Sequence, residues 1–149
     1  MNTTTEVKNA DVDQLNSFLR GEISAVETYN QAIDKLGEEP ALSTKLANCR
    51  SSHQQRVTLL KDEIKRLGGT PADGSGAWGS FAKLVEGGAK VFGTKATVAA
   101  LEEGEDHGRD EYKSELEGLS ADVRQFVEHH LLPEQLTTHS TLSALKHAL

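Results

Sequence analysis

Apolar residues recur along this chain at alternating spacings of three and four, which is the period of an amphipathic helix. The first such stretch predicts helix A over residues 11–37, with Asp11 as its N-cap and Gly37 at its end. Residues 1–10 are polar, and we expect them to form a loosely ordered tail. The stripe of helix A that should face a core runs through Val12, Leu15, Leu19, Glu22, Val26, Tyr29, Ile33 and Leu36.

Three more stretches with this period predict helix B over 41–67, helix C over 94–118 and helix D over 120–147. The turn between A and B is short, so these two helices should be antiparallel. The glycine-rich segment 68–93 is instead long enough to run the length of a helix. The pattern therefore predicts an all-α four-helix bundle, in which two antiparallel hairpins are joined by one long crossover.

The crossover carries large apolar side chains among its glycines. A short helix is predicted there from the helical spacing of Trp78, Phe81, Leu84 and Val85. Val91 and Phe92 add to this apolar surface, which one bundle face would not fully cover. Because uncovered apolar patches tend to be interfaces, we expect a homo-oligomer, in the simplest case a dimer.

Composition narrows the class of protein. The chain has 149 residues, enough for one domain with a real core, and we expect a single domain over 11–149. Hydrophobic residues make up 36% of the chain and aromatic residues 5%, which is typical of a helical bundle rather than of a sheet protein. The formal net charge of -7 argues against binding to nucleic acid.

The sequence gives no signal for export or for membrane insertion. Its first residues lack a charged region followed by an apolar one, and no apolar run approaches the roughly 18 residues of a membrane span. Cys49 is the single cysteine, so no intramolecular disulfide can form. We therefore expect a cytoplasmic protein without a membrane partner.

The pattern Gly-Glu, six residues, Tyr occurs twice, over 21–29 and over 104–112. It places Glu22 and Glu105 on apolar stripes, where an unpaired charge would cost several kcal/mol. The tyrosine that ends each segment should donate its hydroxyl to a neighbouring buried carboxylate. Because a partner, a proton or a metal ion must compensate each charge, the two glutamates mark a candidate site.

Each predicted hairpin also has a histidine in its second helix. Glu22 and His53 lie at nearly the same depth from the A/B turn, whereas His139 lies about 7 Å deeper than Glu105 at 1.5 Å per residue. Glu134 fits that depth better, unless a kink before it changes the register of helix D. The expected site is Glu22, His53 and Glu105, completed by His139 or Glu134.

Two readings of this set stay open. Carboxylates and imidazoles suit one iron, manganese or zinc ion. The same residues could instead form a buried hydrogen-bonded network without metal. The functional alternatives are thus a metal-binding bundle and a metal-free, non-catalytic bundle that acts as a stress-related or protein-interaction module.

Several segments carry a resemblance to a known group of proteins. They are 102–106 (Glu-Glu-Gly-Glu-Asp) with Tyr112, 27–29 (Glu-Thr-Tyr) with Ala32, 67–71 (Leu-Gly-Gly-Thr-Pro), 121–124 (Ala-Asp-Val-Arg) and His139. On these the chain resembles the ferritin-like superfamily, and within it a bacterial family of short four-helix bundles catalogued as a domain of unknown function. Di-iron members of the superfamily carry Glu on two helices and Glu-x-x-His on the other two. Arg50 and Leu136 stand three residues before the two histidines, so di-iron oxidase or peroxidase activity is not expected.

Overall fold

Four long helices make up nearly all of the structure, a computed structural model that describes residues 2–36, 38–76 and 93–149. In chain order the segments are α1 (Asn2–Leu36), α2 (Pro40–Arg66), α3 (Gly93–Glu115), α4 (Ala121–Phe126), a π-helical stretch (Val127–Leu131) and α5 (Leu132–Ala148). The last three follow one another directly and form the fourth helix. No strand occurs in the described ranges, and none of their helices has the length and apolar character needed to cross a membrane. The prediction of an all-α bundle with four helices is therefore confirmed.

Helix α1 begins nine residues earlier than the sequence pattern predicted, at Asn2 instead of Asp11. Neither glycine nor proline occurs before Gly21, so nothing in the polar segment interrupts the helix. Asp11 is buried inside α1 and does not cap it. Its two carboxylate oxygens accept hydrogen bonds from the backbone N–H and the hydroxyl of Ser120, at 3.0 and 2.6 Å. The predicted N-cap was wrong, and Asp11 instead holds the start of the fourth helix against α1.

The described part of the crossover lies along α1. The side chain of Asn16 donates to the carbonyl of Thr70 at 3.0 Å and accepts from the backbone N–H of Ala72 at 2.7 Å. Further on, the hydroxyl of Ser75 donates to Glu27 at 3.1 Å. The predicted short helix and the apolar residues from Trp78 onwards lie outside the described residues.

The apolar core falls into two clusters that share no residue. The first apolar cluster comprises Leu15, Phe18, Leu19, Val57, Leu60, Ile64, Tyr112, Leu119, Val123, Val127 and Leu131. The second apolar cluster comprises Tyr29, Ala32, Leu36, Leu42, Leu46, Cys49, Val98, Leu101, Leu142 and Leu145. On every helix the buried residues between the two clusters are polar, so a polar layer crosses the bundle there.

A π-helical stretch sets the register of the fourth helix. Proline 133 has no backbone N–H, so one hydrogen bond of a regular helix is missing there. The stretch lies just before this proline, where buried residues recur at a constant spacing of four: Val123, Val127, Leu131 and Gln135. A π turn holds more residues than an α turn, and it keeps this line facing the core. As a result, Gln135 and Thr138 point inward, and Leu136 is 40% exposed.

Candidate functional site

Eight side chains form the buried polar layer between the apolar clusters. They belong to Glu22, Tyr29, His53, Arg56, Glu105, Tyr112, Gln135 and Thr138, and none of these residues is more than 4% exposed as a whole. All four helices contribute to the layer. A concentration of buried polar groups requires that each finds a partner, so the hydrogen bonds define what the layer can do.

His53 lies between the two glutamates of the repeated segments. Its Nδ1 is 2.7 Å from Oε2 of Glu22, and its Nε2 is 2.5 Å from Oε1 of Glu105. Ionised carboxylates only accept hydrogen bonds, so both ring nitrogens must donate and the ring is an imidazolium. Burial alone would lower the pKa of His53, but the carboxylates of Glu105 and Glu22 outweigh this and raise it.

Arg56 is the second cation of the layer, and its side chain is fully buried. One guanidinium nitrogen, Nη1, lies 3.3 Å from Oε1 of Glu22 and also donates to the side-chain oxygen of Gln135. The other, Nη2, donates to the hydroxyls of Thr138 and Ser52 at 3.1 and 3.2 Å. The guanidinium and the imidazolium together balance the two glutamate charges.

The protonation of the glutamates follows from this balance. Burial would raise the pKa of Glu22, but Arg56 and then His53 lower it below the ordinary value. Burial likewise opposes ionisation of Glu105, and the charge and hydrogen bond of His53 outweigh it, so that its pKa is also lowered. Both glutamates are therefore carboxylates at neutral pH.

The tyrosine of each repeated segment bonds to the glutamate of the other segment. The hydroxyl of Tyr29 donates to Glu105 at 2.7 Å, and the hydroxyl of Tyr112 donates to Glu22 at 2.8 Å. Each segment thus supplies the tyrosine that stabilises the glutamate of the other, as expected for hydroxyls beside buried carboxylates. This reciprocity is a physical reason for the repeated pattern, because α1 and α3 need each other to bury their charges.

Gln135 and Thr138 complete the layer from the fourth helix, and sequence reasoning missed both. The amide nitrogen of Gln135 donates to the backbone oxygen and to Oε2 of Glu105, each at 2.8 Å. The hydroxyl of Thr138 donates to the same carboxylate oxygen at 2.7 Å. Their spacing of three matches that of His53 and Arg56 on α2, and this signal could have found them.

We expect Gly108→Ala to destabilise the protein by about 1–2 kcal/mol, although alanine is the better helix former. A Cβ at position 108 would lie 2.8 Å from the amide nitrogen of Gln135, which its two bonds to Glu105 hold in place. Urea unfolding measures the loss. Gly118→Ala, where nothing lies within 4 Å of the added carbon, is the control and should change little. With Gln135→Ala in place, Gly108→Ala should become stabilising; destabilisation of equal size in that background would contradict the contact.

Two residues predicted for the site lie elsewhere. His139 is only partly buried, and its Nε2 is 2.5 Å from a carboxylate oxygen of Asp106. Glu134 is exposed and accepts a hydrogen bond from Ser52 at 3.3 Å. The expectation that His139 or Glu134 completes the set with Glu22, His53 and Glu105 was wrong, because the α5 side chains that face the layer are those of Gln135 and Thr138.

The side chains present do not fit a metal centre. Within the described ranges, no three or more His, Cys, Asp and Glu residues form a group that could hold a metal ion. Both ring nitrogens of His53 face carboxylate oxygens at hydrogen-bond distance, so Glu22 and Glu105 already occupy both of them. Arg56 adds a fixed positive charge beside Glu22. Burial and the Glu105 charge raise the pKa of the Cys49 thiol to about 11.

Two small cavities flank the layer between α1 and α3. Each has a volume of about 30 Å³, and Gly21, Gly104 and His53 line both. A volume of this size holds roughly one or two water molecules. The repeated glycines therefore leave room beside His53 for water but not for an organic substrate.

The fold and the layer together define the class: an all-α bundle built around a charge-balanced polar layer. The chain belongs to the family described as Domain of unknown function (DUF2383), whose model matches residues 10–118. The match contains the two glutamates, both tyrosines, His53 and Arg56, and it ends before the fourth helix. No curated protein and no solved structure matches the chain.

Proposed function

We propose that the protein is a ferritin-like bundle that works without a metal ion, as a non-catalytic protein-interaction module. The two apolar clusters support the ferritin-like wiring. In the first, the early part of α1 meets the ends of α2 and α3, and in the second the end of α1 meets the beginnings of α2 and α3. Helices α2 and α3 would then be parallel, as two hairpins joined by a long crossover require.

The observation that carries the metal-free reading is the closed set of partners in the layer. Glu105 accepts four side-chain hydrogen bonds, and Glu22 accepts three. Among buried side-chain polar atoms of the described residues, Gln31 Oε1 is the one without a partner, and Gln31 is not part of the layer. Groups that satisfy one another in this way need neither a metal ion nor a substrate to compensate their charges.

The bundle would then act through its surface. The crossover residues Trp78, Phe81, Val91 and Phe92 remain the basis for proposing a homodimer, and its mass in solution tests that part. A cytoplasmic location also stays part of the proposal, supported by the single cysteine.

Metal analysis of protein purified without a chelator tests the proposal. After dialysis against Fe²⁺, Mn²⁺ or Zn²⁺ and removal of free ions, we expect far less than one ion per chain. The melting temperature should not rise with added metal, because only an ion bound to the native state stabilises it. One ion per chain that disappears in a Glu22→Gln, Glu105→Gln variant would overturn the proposal. Loss of the ion in a Glu134→Gln, Asp106→Asn variant instead would place it on the surface.

A further inference from the structure

The buried polar layer has the same distribution over four helices as the ligands of a two-metal site. In di-iron and di-manganese bundles, two helices supply one Glu each and the other two supply Glu-x-x-His, all projecting inward. Here α1 and α3 supply Glu22 and Glu105. On α2 the inward pair with this spacing is His53 and Arg56, and on α5 it is Gln135 and Thr138.

The contacts assign a role to each position of this frame. Arg56 contacts Glu22 at 3.3 Å, and Thr138 contacts Glu105 at 2.7 Å. His53 contacts both glutamates. Gln135 donates to Glu105 and accepts from Arg56, whose guanidinium also reaches the Thr138 hydroxyl at 3.1 Å. We therefore call positions 56 and 138, which each contact one glutamate, terminal, and position 53, which contacts both, bridging. Position 135 is bridging by its spacing of three from 138, which matches that of 53 from 56.

We propose that the layer keeps the ligand positions of a two-metal site, here called the two-metal frame. In this frame the side-chain cations of His53 and Arg56 supply the positive charge that two metal ions would supply. The charges support this assignment. A two-metal site balances four carboxylates with two divalent ions, whereas this layer balances two carboxylates with one imidazolium and one guanidinium. Compared with a two-metal site, the layer lacks two carboxylates and two divalent ions together, so both arrangements are neutral. The inference rests on the proposed metal-free function.

In this frame the four positions of the two Glu-x-x-His pairs are 53 and 56 on α2 and 135 and 138 on α5. They are not the positions that end at His53 and His139. Arg50 and Leu136 are the residues three positions before the histidines, but neither belongs to the layer. Arg50 donates to Asn30 at the surface, and Leu136 is 40% exposed. The bridging positions lie at 53 and 135 instead, where the side chains contact the glutamates.

Introducing the four missing ligands of a two-metal site should create a metal site in this bundle. The variant carries His53→Glu, Arg56→His, Gln135→Glu and Thr138→His. We expect it to bind two Mn²⁺ or Co²⁺ ions per chain in equilibrium dialysis, and to melt at a higher temperature with metal than without. Without metal its four carboxylates have no counter-charge, so it should be less stable than the natural chain.

A matched control carries the same residue types with the same spacing at exposed positions: Ser51→Glu, Gln54→His, Thr137→Glu and Ser140→His. A half-frame variant with His53→Glu and Arg56→His alone keeps Glu22 and Glu105, and it should bind one ion.

The outcomes separate the two proposals. Stoichiometric metal in the natural chain that disappears in the Glu22→Gln, Glu105→Gln variant would refute the metal-free function. A metal-free natural chain with folded frame variants that bind no more than the control would refute the frame alone. Frame variants that stay unfolded in Mn²⁺ and Co²⁺ would also refute the frame, because metal binding to a correctly placed ligand set stabilises the folded state.

Discussion

Arg56→Ala should destabilise the protein by about 3–5 kcal/mol, because it removes one partner of a fully buried ion pair and leaves the Glu22 charge partly uncompensated. The side chain is 0% exposed, and its loss also strips the carbonyl oxygen of Gln135 of its donor. Urea unfolding at neutral pH measures the change. The expected signature is a lower midpoint with an unchanged slope.

Arg66→Ala on the same helix is the matched control. Arg66 pairs with Glu63 at 2.6 Å, but its side chain is 60% exposed, and surface pairs contribute about 0–1 kcal/mol. A second variant isolates the charge: with Glu22→Gln already in place, Arg56→Ala should cost clearly less than in the natural chain. Equal losses for Arg56→Ala and Arg66→Ala would mean that the layer contributes little to stability, against the burial argument.

The helices could be predicted from the sequence because the apolar residues on the buried face of a helix recur with the helical period. Glycine or proline marked the ends of α2, and its predicted and observed bounds differ by one residue. The start of α1 was not predictable in this way. Asp11 has the chemistry of an N-cap, but its partner is Ser120, 109 residues away along the chain. A local rule cannot find a partner that only the tertiary fold supplies.

Five of the eight residues of the layer could be found from the sequence, and for His53 the reason is geometric. Counting residues from a tight turn put Glu22 level with His53, and the structure joins them at 2.7 Å. Arg56 escaped notice because an arginine among exposed polar residues resembles a solvated side chain. Only the demand that two buried carboxylates be neutralised would have pointed to a second cation on α2.

The fourth helix shows where periodicity fails. The π-helical stretch changes the hydrogen-bond register before Pro133, so every later position rotates relative to a regular helix. The side chains of α5 that face the layer are those of Gln135 and Thr138, and not those of Glu134 and His139. Pro133 predicts an irregularity in the fourth helix, but it does not predict which side chains then face the core.

Replacing His53 with leucine should cost about 3–5 kcal/mol and should also change how stability depends on pH, because both buried carboxylates lose their shared cation. The pKa of His53 is raised above 6.5 in the folded state. Its stabilisation is therefore complete below pH 6.5 and is lost as the pH rises through the folded pKa, by up to about 1.4 kcal/mol per pH unit. The lowered pKa values of Glu22 and Glu105 act at the other end: their stabilisation is present above 4.5 and is lost as the pH falls.

Unfolding by urea at a series of pH values between 4 and 9 measures this profile. The natural chain should be most stable between pH 4.5 and 6.5, the ordinary values of the two kinds of group, and His53→Leu should lose the decline above pH 6.5. His147→Leu serves as the control, since His147 is exposed and contacts a backbone oxygen rather than a carboxylate; it should keep the decline. Adding Glu105→Gln to His53→Leu should recover part of the lost stability, because one of two buried like charges disappears. A decline that persists in His53→Leu would show that the imidazolium does not hold the layer together.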